Sequence, residues 1–321
     1  MDYSFYYKKE LPIDSDWKGL TTEGLFISAY NSSDRVKIVF DKIKSDEKHW
    51  LIFPEYKYHI DELPKENFFI CPQEGNEGEQ IVSFFDSINK ELADIPITID
   101  ITGFMRPQLA FLLKFLHMNK VLKIDLLYSE PTQYSNKEKT SFSDGNVHEV
   151  RQVAGFEGVH SRDTSNDLLI IGSGYDHNLI KSICNQKEHA KIKQLIGFPS
   201  LRPDMYQENL IKAALASDGI VPDALAKPLF APANDPFIAA EVLSNTIEYL
   251  DKKNALKPSK GYSNLYLCPL STKPHTVGFI LFFLKELQDK PVSLIYPFFN
   301  RYEQKTSHGI NRVWLYTVEF D

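Results

Sequence analysis

The chain has 321 residues, of which 43% are hydrophobic and 25% charged, and its formal net charge at pH 7 is −7. This length suits two domains of ordinary size, and the composition excludes disordered and fibrous proteins. The negative charge argues against a surface that wraps duplex nucleic acid, although a local basic pocket can still hold one nucleotide or phosphate.

Short apolar runs alternate with helical patterns in the first half of the chain. A short apolar run bounded by polar residues is typical of a strand buried on both faces. Apolar residues spaced by three and four positions predict helices. The sequence predicts strands over 24–30, 50–53, 68–71, 95–101 and 121–128, and helices over 33–43, 81–88 and 109–116.

The second half shows the same alternation, which predicts an α/β fold with mostly parallel sheets and helices on both faces. Strands are predicted over 168–171, 194–198, 228–231, 264–268 and 291–296, and helices over 178–186, 209–216, 236–250 and 276–287. Alternating segments at 147–153 and 313–318 predict antiparallel edge strands or a hairpin. The polar, glycine-containing run 155–167 indicates a linker.

Matching segments recur in the same order in both halves. Phe53-Pro54 matches Phe198-Pro199, and Arg106-Pro107 matches Lys273-Pro274. The offsets between matches change only between elements, as loop insertions require. The sequence therefore predicts a tandem duplication of Rossmann-like three-layer units, with a first domain over 1–160 and a second over 161–321.

The loop after the fourth strand of each half is a candidate anion site. In an open parallel sheet, ligands bind beyond the carboxyl ends of the strands, where the strand order reverses. Thr102 and Arg106 occupy this position in the first half, and Ser271, Thr272 and Lys273 in the second. A helix N-terminus with an adjacent cation binds anions well. The alternative is helix capping and turn chemistry alone.

The loop after the first strand of the second half carries two glycines. Gly172, Gly174 and Tyr175 predict a close approach of the backbone to a phosphate, although the full G-x-G-x-x-G pattern is absent because position 177 is His. The alternative is a tight turn with Asp176 capping a helix. The corresponding loop of the first half, 28–33, has no glycine, so we expect the two sites to differ.

Acid–base chemistry has three candidates above the second sheet, namely His177, His275 and Asp176. A histidine in a polar loop is more often simply exposed, which is the competing interpretation. No nucleophile elbow, Walker loop or H-E-x-x-H motif accompanies these residues. The remaining histidines lack metal-ligand spacing, so no metal site is predicted, and the sequence specifies no cofactor.

This layout resembles the CARF-type sensor domains of prokaryotic antiviral systems. Those domains are Rossmann-like units whose ligand loops follow the first and fourth strands, and segments 102–107 and 271–274 are similar to the fourth-strand loop. The resemblance implies a nucleotide or oligonucleotide second messenger and dimerisation. We therefore expect a nucleotide-binding sensor or regulatory protein of antiviral defence, with a small phosphate-bearing ligand and either a protein partner or a second copy.

Two other functions remain open at this point. One is an enzyme that cleaves or transfers a phosphate- or sugar-containing nucleotide substrate in the cleft of the second domain. The other is a non-catalytic scaffold subunit of a defence complex.

Three scattered cysteines without C-x-x-C spacing disfavour disulfides and structural zinc, which predicts a cytoplasmic protein. The charged N-terminal residues and the short apolar runs predict neither a signal peptide nor a membrane contact.

Overall fold

The computed structural model describes residues 1–13, 17, 24–134, 147–174, 176–202, 228–256, 262–299, 301–302 and 307–320. The chain forms two compact units, each assembled from segments that are distant in sequence. The first unit comprises Tyr6–Asp144 with Asn300–Asp321, and the second comprises Met1–Phe5 with Gly145–Phe299.

Within the residues that the structure describes, the first half of the chain contributes six strands and three α-helices, besides two single-turn 3-10 helices. The strands are β1 (Tyr7–Leu11), β2 (Leu25–Ala29), β3 (Glu47–Ile52), β4 (Phe68–Ile70), β5 (Ile97–Asp100) and β6 (Lys123–Tyr134), and the helices are α1 (Asp34–Lys42), α2 (Glu77–Ile88) and α3 (Arg106–Met118).

The rest of the chain contributes seven strands and three helices within the described ranges. The strands are β7 (Val147–Gln152), β8 (Leu168–Ser173), β9 (Lys191–Gly197), β10 (Leu229–Ala231), β11 (Leu265–Pro269), β12 (Val292–Phe299) and β13 (Ser307–Glu319), and the helices are α4 (His177–Gln186), α5 (Pro236–Leu256) and α6 (Lys273–Glu286). The helix predicted over 209–216 lies outside the described residues.

The parallel strands of the two sheets have the same order. The first sheet has the order β1-β13-β6-β5-β2-β3-β4, and the second has the order β10-β9-β8-β11-β12-β7. In each sheet five strands run parallel, and numbering them along the chain gives the spatial order 3-2-1-4-5 in both. The predicted α/β fold with two Rossmann-like, mostly parallel sheets is therefore confirmed.

The antiparallel strands at the end of each half are exchanged. β7 follows the first half but pairs with β12 in the second sheet, and β13 follows the second half but pairs with β6 in the first sheet. The predicted antiparallel strands are present, but each completes the other sheet. The compact units therefore differ from the contiguous division predicted at residue 160, because 145–160 packs in the second unit and 300–321 in the first.

The segment predicted as a linker belongs to the second unit. The Leu294 N–H donates to the Phe156 carbonyl at 3.2 Å. The Ser161 N–H donates to Asn264 Oδ1 at 2.7 Å. These two bonds and the full burial of Phe156 show that the segment packs against β12 and the start of β11. Its polar residues are typical of turns.

Aromatic packing fixes α1 against the first sheet. Val36, Val39 and Phe40 occupy the buried face of α1. The Phe40 ring stacks on Trp50 with centroids 3.7 Å apart and meets Phe26 at 5.6 Å. Burial of one such side chain stabilises the folded state by about 1.5–3 kcal/mol. This packing holds the N-terminus of α1 at the carboxyl end of β2.

No helix in the described part of the chain has both the length and the apolar character needed to cross a bilayer.

Candidate functional site

Each sheet has one switch point, where the strand order reverses. In the first unit it lies between β2 and β5, which lead into α1 and α3, and in the second unit between β8 and β11, which lead into α4 and α6. Two helix N-termini therefore flank each switch point. A ligand of an open α/β sheet binds at such a point.

Side chains of the protein cap both helices at the switch point of the second unit. Asp176 accepts a hydrogen bond from the Leu179 N–H at 3.3 Å at the start of α4. Thr272 Oγ1 accepts from the His275 N–H at 3.3 Å and donates to the Ala233 carbonyl at 2.6 Å. Because internal groups occupy these caps and one of them is anionic, the two N-termini offer little positive potential to a ligand.

His275 occupies a structural position. Its side chain is fully buried, and Nε2 lies 3.0 Å from the Pro232 carbonyl, to which it donates. Burial lowers the pKa of His275 to about 4, against the backbone hydrogen bonds that favour its charged form. The imidazole is therefore neutral at physiological pH and enclosed by protein, which gives it no access to a substrate.

The glycines of the second unit serve close packing. A Cβ on Gly174 would lie 2.2 Å from the Leu270 carbonyl oxygen, and one on Gly172 would lie 3.1 Å from the Phe279 ring. The two switch-point loops thus touch through their backbones and leave no open cradle at these positions. Tyr175 lies outside the described residues. The backbone of His177 starts α4, and its side chain is not described.

The two remaining second-unit candidates also interact with their surroundings. Ser271 is buried, Lys273 is partly buried, and both make interactions with the rest of the protein. The structure therefore brings Asp176, Thr272 and Lys273 to one sheet edge, while His275 lies beneath it.

The first unit differs because its switch-point helices have no side-chain caps. Ser33 is the N-cap residue of α1, yet its hydroxyl makes no capping hydrogen bond. Met105 is the N-cap residue of α3 and has no side-chain oxygen. Neither N-cap side chain therefore binds the first backbone N–H groups of its helix, although Asp34 places a carboxylate in the first turn of α1, whereas the first turn of α3 has no acidic residue.

Arg35 lies in the first turn of α1 and is 8% exposed. Its Nη1 donates to the Ser129 carbonyl on β6, and its Nη2 donates to Ser307 Oγ on β13 at 2.7 Å. Its Nε is buried and has no hydrogen-bond partner among the described residues. A guanidinium with a free N–H beside a helix N-terminus is well suited to an anion.

Three buried hydroxyls near Arg35 are also unsatisfied. The Oγ atoms of Ser32, Ser33 and Ser129 have no hydrogen-bond partner in the described parts of the chain. Leaving a buried polar group unsatisfied costs about 1–3 kcal/mol. Ser32, Ser33 and Arg35 are neighbours at the start of α1, and Arg35 also bonds to the Ser129 carbonyl, so four groups that can donate a hydrogen bond occur around this N-terminus. These four residues, Ser32, Ser33, Arg35 and Ser129, are called the Arg35 cluster below.

Thr102 and Asp100 join the Arg35 cluster to β5. Thr102 Oγ1 accepts from the Ser129 N–H at 3.0 Å. Asp100 accepts from the Thr102 N–H at 3.0 Å and from Ser28 Oγ at 3.3 Å. Burial raises the pKa of Asp100 to about 6, while the bonds from Thr102 and the charge of Arg35 lower it. Asp100 is therefore largely ionised at neutral pH and balances the charge of Arg35.

The predicted first-unit residues thus have different positions. Thr102 contacts the Arg35 cluster directly. Arg106, at the start of α3, is 8% exposed and interacts with the rest of the protein. Arg35 and Ser129 are not among the predicted site residues. The sequence Ser32-Ser33-Asp34-Arg35 directly after the first strand carried the signal, but it has no glycine and reads as an ordinary helix start.

A separate cavity of about 340 Å³ lies at the opposite, amino-terminal edge of the second sheet. Asp167, Lys187 and Tyr266 contribute to its wall. Lys187 Nζ lies 3.6 Å from the centroid of the Tyr266 ring, and His160 stacks on the same ring at 4.8 Å. None of the predicted site residues lines this cavity, and it lies at the edge of the second sheet opposite the switch point of that sheet. Within the described ranges, no group of three or more His, Cys, Asp or Glu side chains is placed to hold a metal ion.

Comparisons with known proteins do not assign a family. No protein-family model and no curated protein matches the chain. One similar solved structure is the adenylation, ketoreductase and pseudo-Asub multidomain structure of a keto acid-selecting NRPS module, at 10% identity and a TM-score of 0.24. The match covers 89% of this chain and 34% of that one, so this chain spans about a third of its length.

Proposed function

We propose that the first unit binds a phosphate-bearing ligand of the nucleotide type at the switch point between β2 and β5. The observation that carries this proposal is the Arg35 cluster, in which one guanidinium N–H and three hydroxyls are buried and have no hydrogen-bond partner among the described residues. All four are donors or can act as donors, and a phosphate offers only acceptor oxygens. The N-termini of α1 and α3 have no side-chain caps and add backbone N–H groups, and α3 has no acidic residue in its first turn.

The proposed role of the whole protein is a sensor or regulator in prokaryotic antiviral defence. This role rests on the resemblance to CARF-type domains, whose ligand loops follow the first and fourth strands. The Arg35 cluster and Thr102 belong mainly to those two loops of the first unit. The protein would then act through a protein partner or a second copy, with ligand binding as the signal.

The variant Ser129→Ala tests the site without removing a hydrogen bond from the ligand-free protein. The Ser129 hydroxyl has no partner among the described residues, so the unfolding temperature of the free variant should be unchanged or higher. Its affinity for inorganic pyrophosphate, or for a stabilising nucleotide, should fall by about tenfold or more, because a hydrogen bond to a charged group contributes about 1.5–3 kcal/mol. Thermal shift and calorimetric titration measure both quantities.

Two further variants serve as controls. Ser182→Ala removes a hydroxyl on α4 of the second unit and should leave binding unchanged. Lys273→Ala tests the second-unit loop directly, and we expect no loss of affinity. The site would be assigned to the second unit if Ser129→Ala kept full affinity and Lys273→Ala lost it. Recovery of the bound nucleotide unchanged after incubation distinguishes a sensor from the enzyme alternative.

A further inference from the structure

The cavity at the amino-terminal edge of the second sheet has room for a small molecule. Its volume of about 340 Å³ lies in the range of pockets that bind small ligands. Thr164, Asn185 and Gln186 give it a polar wall, and Lys187 brings an amine to it. Lys187 is the C-cap residue of α4, so the end of the helix fixes the position from which its side chain extends. A ligand in this cavity would therefore lie beside the Lys187 amine.

The Lys187 amine has no oxygen partner in the described part of the chain. Its Nζ lies 3.6 Å from the centroid of the Tyr266 ring, and it forms neither a hydrogen bond nor an ion pair with another described residue. Glu188 also lines the cavity, but its carboxylate lies 3.3 Å from His189 Nε2. The Lys187 nitrogen is therefore not held by an acceptor.

The aromatic ring beside this amine is held in place by its neighbours. His160 stacks on the Tyr266 ring with centroids 4.8 Å apart and an angle of 16° between the planes. Burial raises the pKa of Tyr266 to about 12, and the charge of Asp167 adds to this, so the hydroxyl stays neutral. Asp167 is itself fixed by a hydrogen bond from Asn264 Nδ2 at 2.7 Å. The cavity therefore has a preformed wall of one aromatic ring and one carboxylate.

Burial makes the Lys187 amine easier to deprotonate. It lowers the pKa of Lys187 below its ordinary value, while the charge of Asp167 opposes this effect. A lower pKa increases the fraction of neutral amine near pH 7, and only the neutral amine has the lone pair that attacks a carbonyl carbon. An amine that lines a cavity and is bound to no acceptor thus has the properties of a nucleophile.

Lys48 in the first unit provides a matched comparison. Its Nζ also lies over an aromatic ring, 4.4 Å from the centroid of Phe40, and burial lowers its pKa as well. Unlike Lys187, it donates hydrogen bonds to the carbonyl oxygens of Phe40 and Ile43, the latter at 3.0 Å. Because hydrogen bonds to the charged form favour that form, we expect Lys48 to react more slowly than Lys187.

We propose that Lys187 forms an imine with a small aldehyde or ketone in this cavity. The nitrogen attacks the carbonyl carbon, a proton passes from the nitrogen to the oxygen, and the resulting carbinolamine loses water. The step needs neither an oxidant nor a reductant. A protonated imine keeps a positive charge, which preserves the attraction to the Tyr266 ring and to Asp167. An acyl donor would convert the amine into a neutral amide and remove both attractions, so the surroundings favour carbonyl compounds.

The test measures the labelling rate of individual lysines in the whole protein at pH 7. Glycolaldehyde is added with sodium cyanoborohydride, whose hydride reduces each imine to a stable secondary amine, and peptide mass spectrometry follows every site. Lys187 should be labelled at least about fivefold faster than Lys48 and the exposed Lys252, since each unit of lowered pKa raises the neutral fraction about tenfold. Labelling of Lys187 that is no faster than that of Lys48 and Lys252 overturns the proposal.

A pair of tryptophan variants tests the role of the cavity. Thr164 lines the cavity from an exposed position, whereas its exposed neighbour Ser165 is not part of the wall. Thr164→Trp should slow the labelling of Lys187 by filling the cavity and leave that of Lys48 unchanged, while Ser165→Trp should leave both rates unchanged. Unfolding temperatures equal to that of the wild type verify the fold of both variants. Unchanged labelling of Lys187 in Thr164→Trp would show that the carbonyl compound does not react from within the cavity, which also overturns the proposal.

Discussion

Asp100 makes anion binding at the Arg35 cluster depend on pH. Its pKa is raised to about 6, so its negative charge disappears as the pH falls below neutrality. An incoming anion favours the protonated carboxyl because two negative charges repel. Affinity for sulfate, whose charge does not change in this range, should therefore rise between pH 7 and pH 5, and Asp100→Asn should bind with a constant, high affinity. Sulfate binding independent of pH in the wild type would contradict this coupling.

The raised pKa of Asp100 also predicts how the stability of the folded protein changes with pH. A carboxyl whose folded-state pKa is raised favours folding below its unfolded pKa, and this contribution is lost as the pH rises through the folded pKa. The wild type should therefore lose stability relative to Asp100→Asn as the pH rises from 3.8 to about 6, by about 3 kcal/mol. Chemical denaturation at a series of pH values measures the unfolding free energy of both proteins. A difference between them that does not change with pH would show that burial does not raise the pKa of Asp100.

Single residues show most clearly where sequence patterns stop being informative. Arg35 falls within a predicted helix, and its type suggests a solvent-facing position. It is buried instead, and its guanidinium binds Ser129 and Ser307, of which Ser307 is 272 positions away in the sequence. Periodicity over a short window contains no information on such a contact. Thr102 could be identified from the sequence because its position depends only on the local order of strand, loop and helix.

At the scale of elements, the two switch points provide a matched pair of glycine substitutions. A Cβ on Gly103 would lie 2.2 Å from the Ala29 carbonyl oxygen, and a Cβ on Gly174 would lie 2.2 Å from that of Leu270. Gly103→Ala forces the two loops of the first unit apart and should cost about 1–3 kcal/mol. It should also weaken sulfate binding, because Ser32, Ser33 and Arg35 follow Ala29 directly.

Gly174→Ala introduces the equivalent clash in the second unit and should leave sulfate affinity unchanged. Unfolding measurements confirm that both variants carry a similar strain, and titration with sulfate compares their sites. Equal loss of binding in the two variants would show that the ligand site is not confined to the first unit.

Strands and helices within the described ranges were largely predictable, because their buried faces impose periods that a linear sequence displays. The prediction of β2 over 24–30 differs from the observed Leu25–Ala29 by one residue at each end. The helix predicted over 109–116 begins earlier, at Arg106, since Pro107 is well tolerated in the first turn. Helix caps were harder to predict from the sequence, because Ser33 is an ordinary N-cap residue type and yet makes no capping hydrogen bond here.

At the scale of the whole molecule, the exchanged strands were not predictable. An alternating segment specifies which of its faces is buried but not which of two similar edges it joins. β7 and β13 both meet the pattern of an edge strand, and β6 and β12 are equivalent fifth strands. The repeat suggested that each alternating segment completes its own half, whereas the registers assign each to the other sheet.

The variant Leu315→Pro tests this exchange. Leu315 lies within β13, which is paired on both sides, with β1 and with β6. Proline removes a backbone donor and disrupts the ladder. Hydrogen exchange should accelerate in β5 and β6 of the first unit and remain unchanged in β8 and β11 of the second. Accelerated exchange in β8 and β11 instead would support the contiguous division at residue 160.

The pairing of β13 with β6 also dictates an order of events during synthesis. The ribosome adds 172 residues (135–306) between the end of β6 and the start of β13. At typical elongation rates this takes roughly 10–30 s, during which β6 has an open hydrogen-bonding edge. Every segment of the second unit has been synthesised once Phe299 is added. The half of the protein that is translated first is consequently the last to be completed.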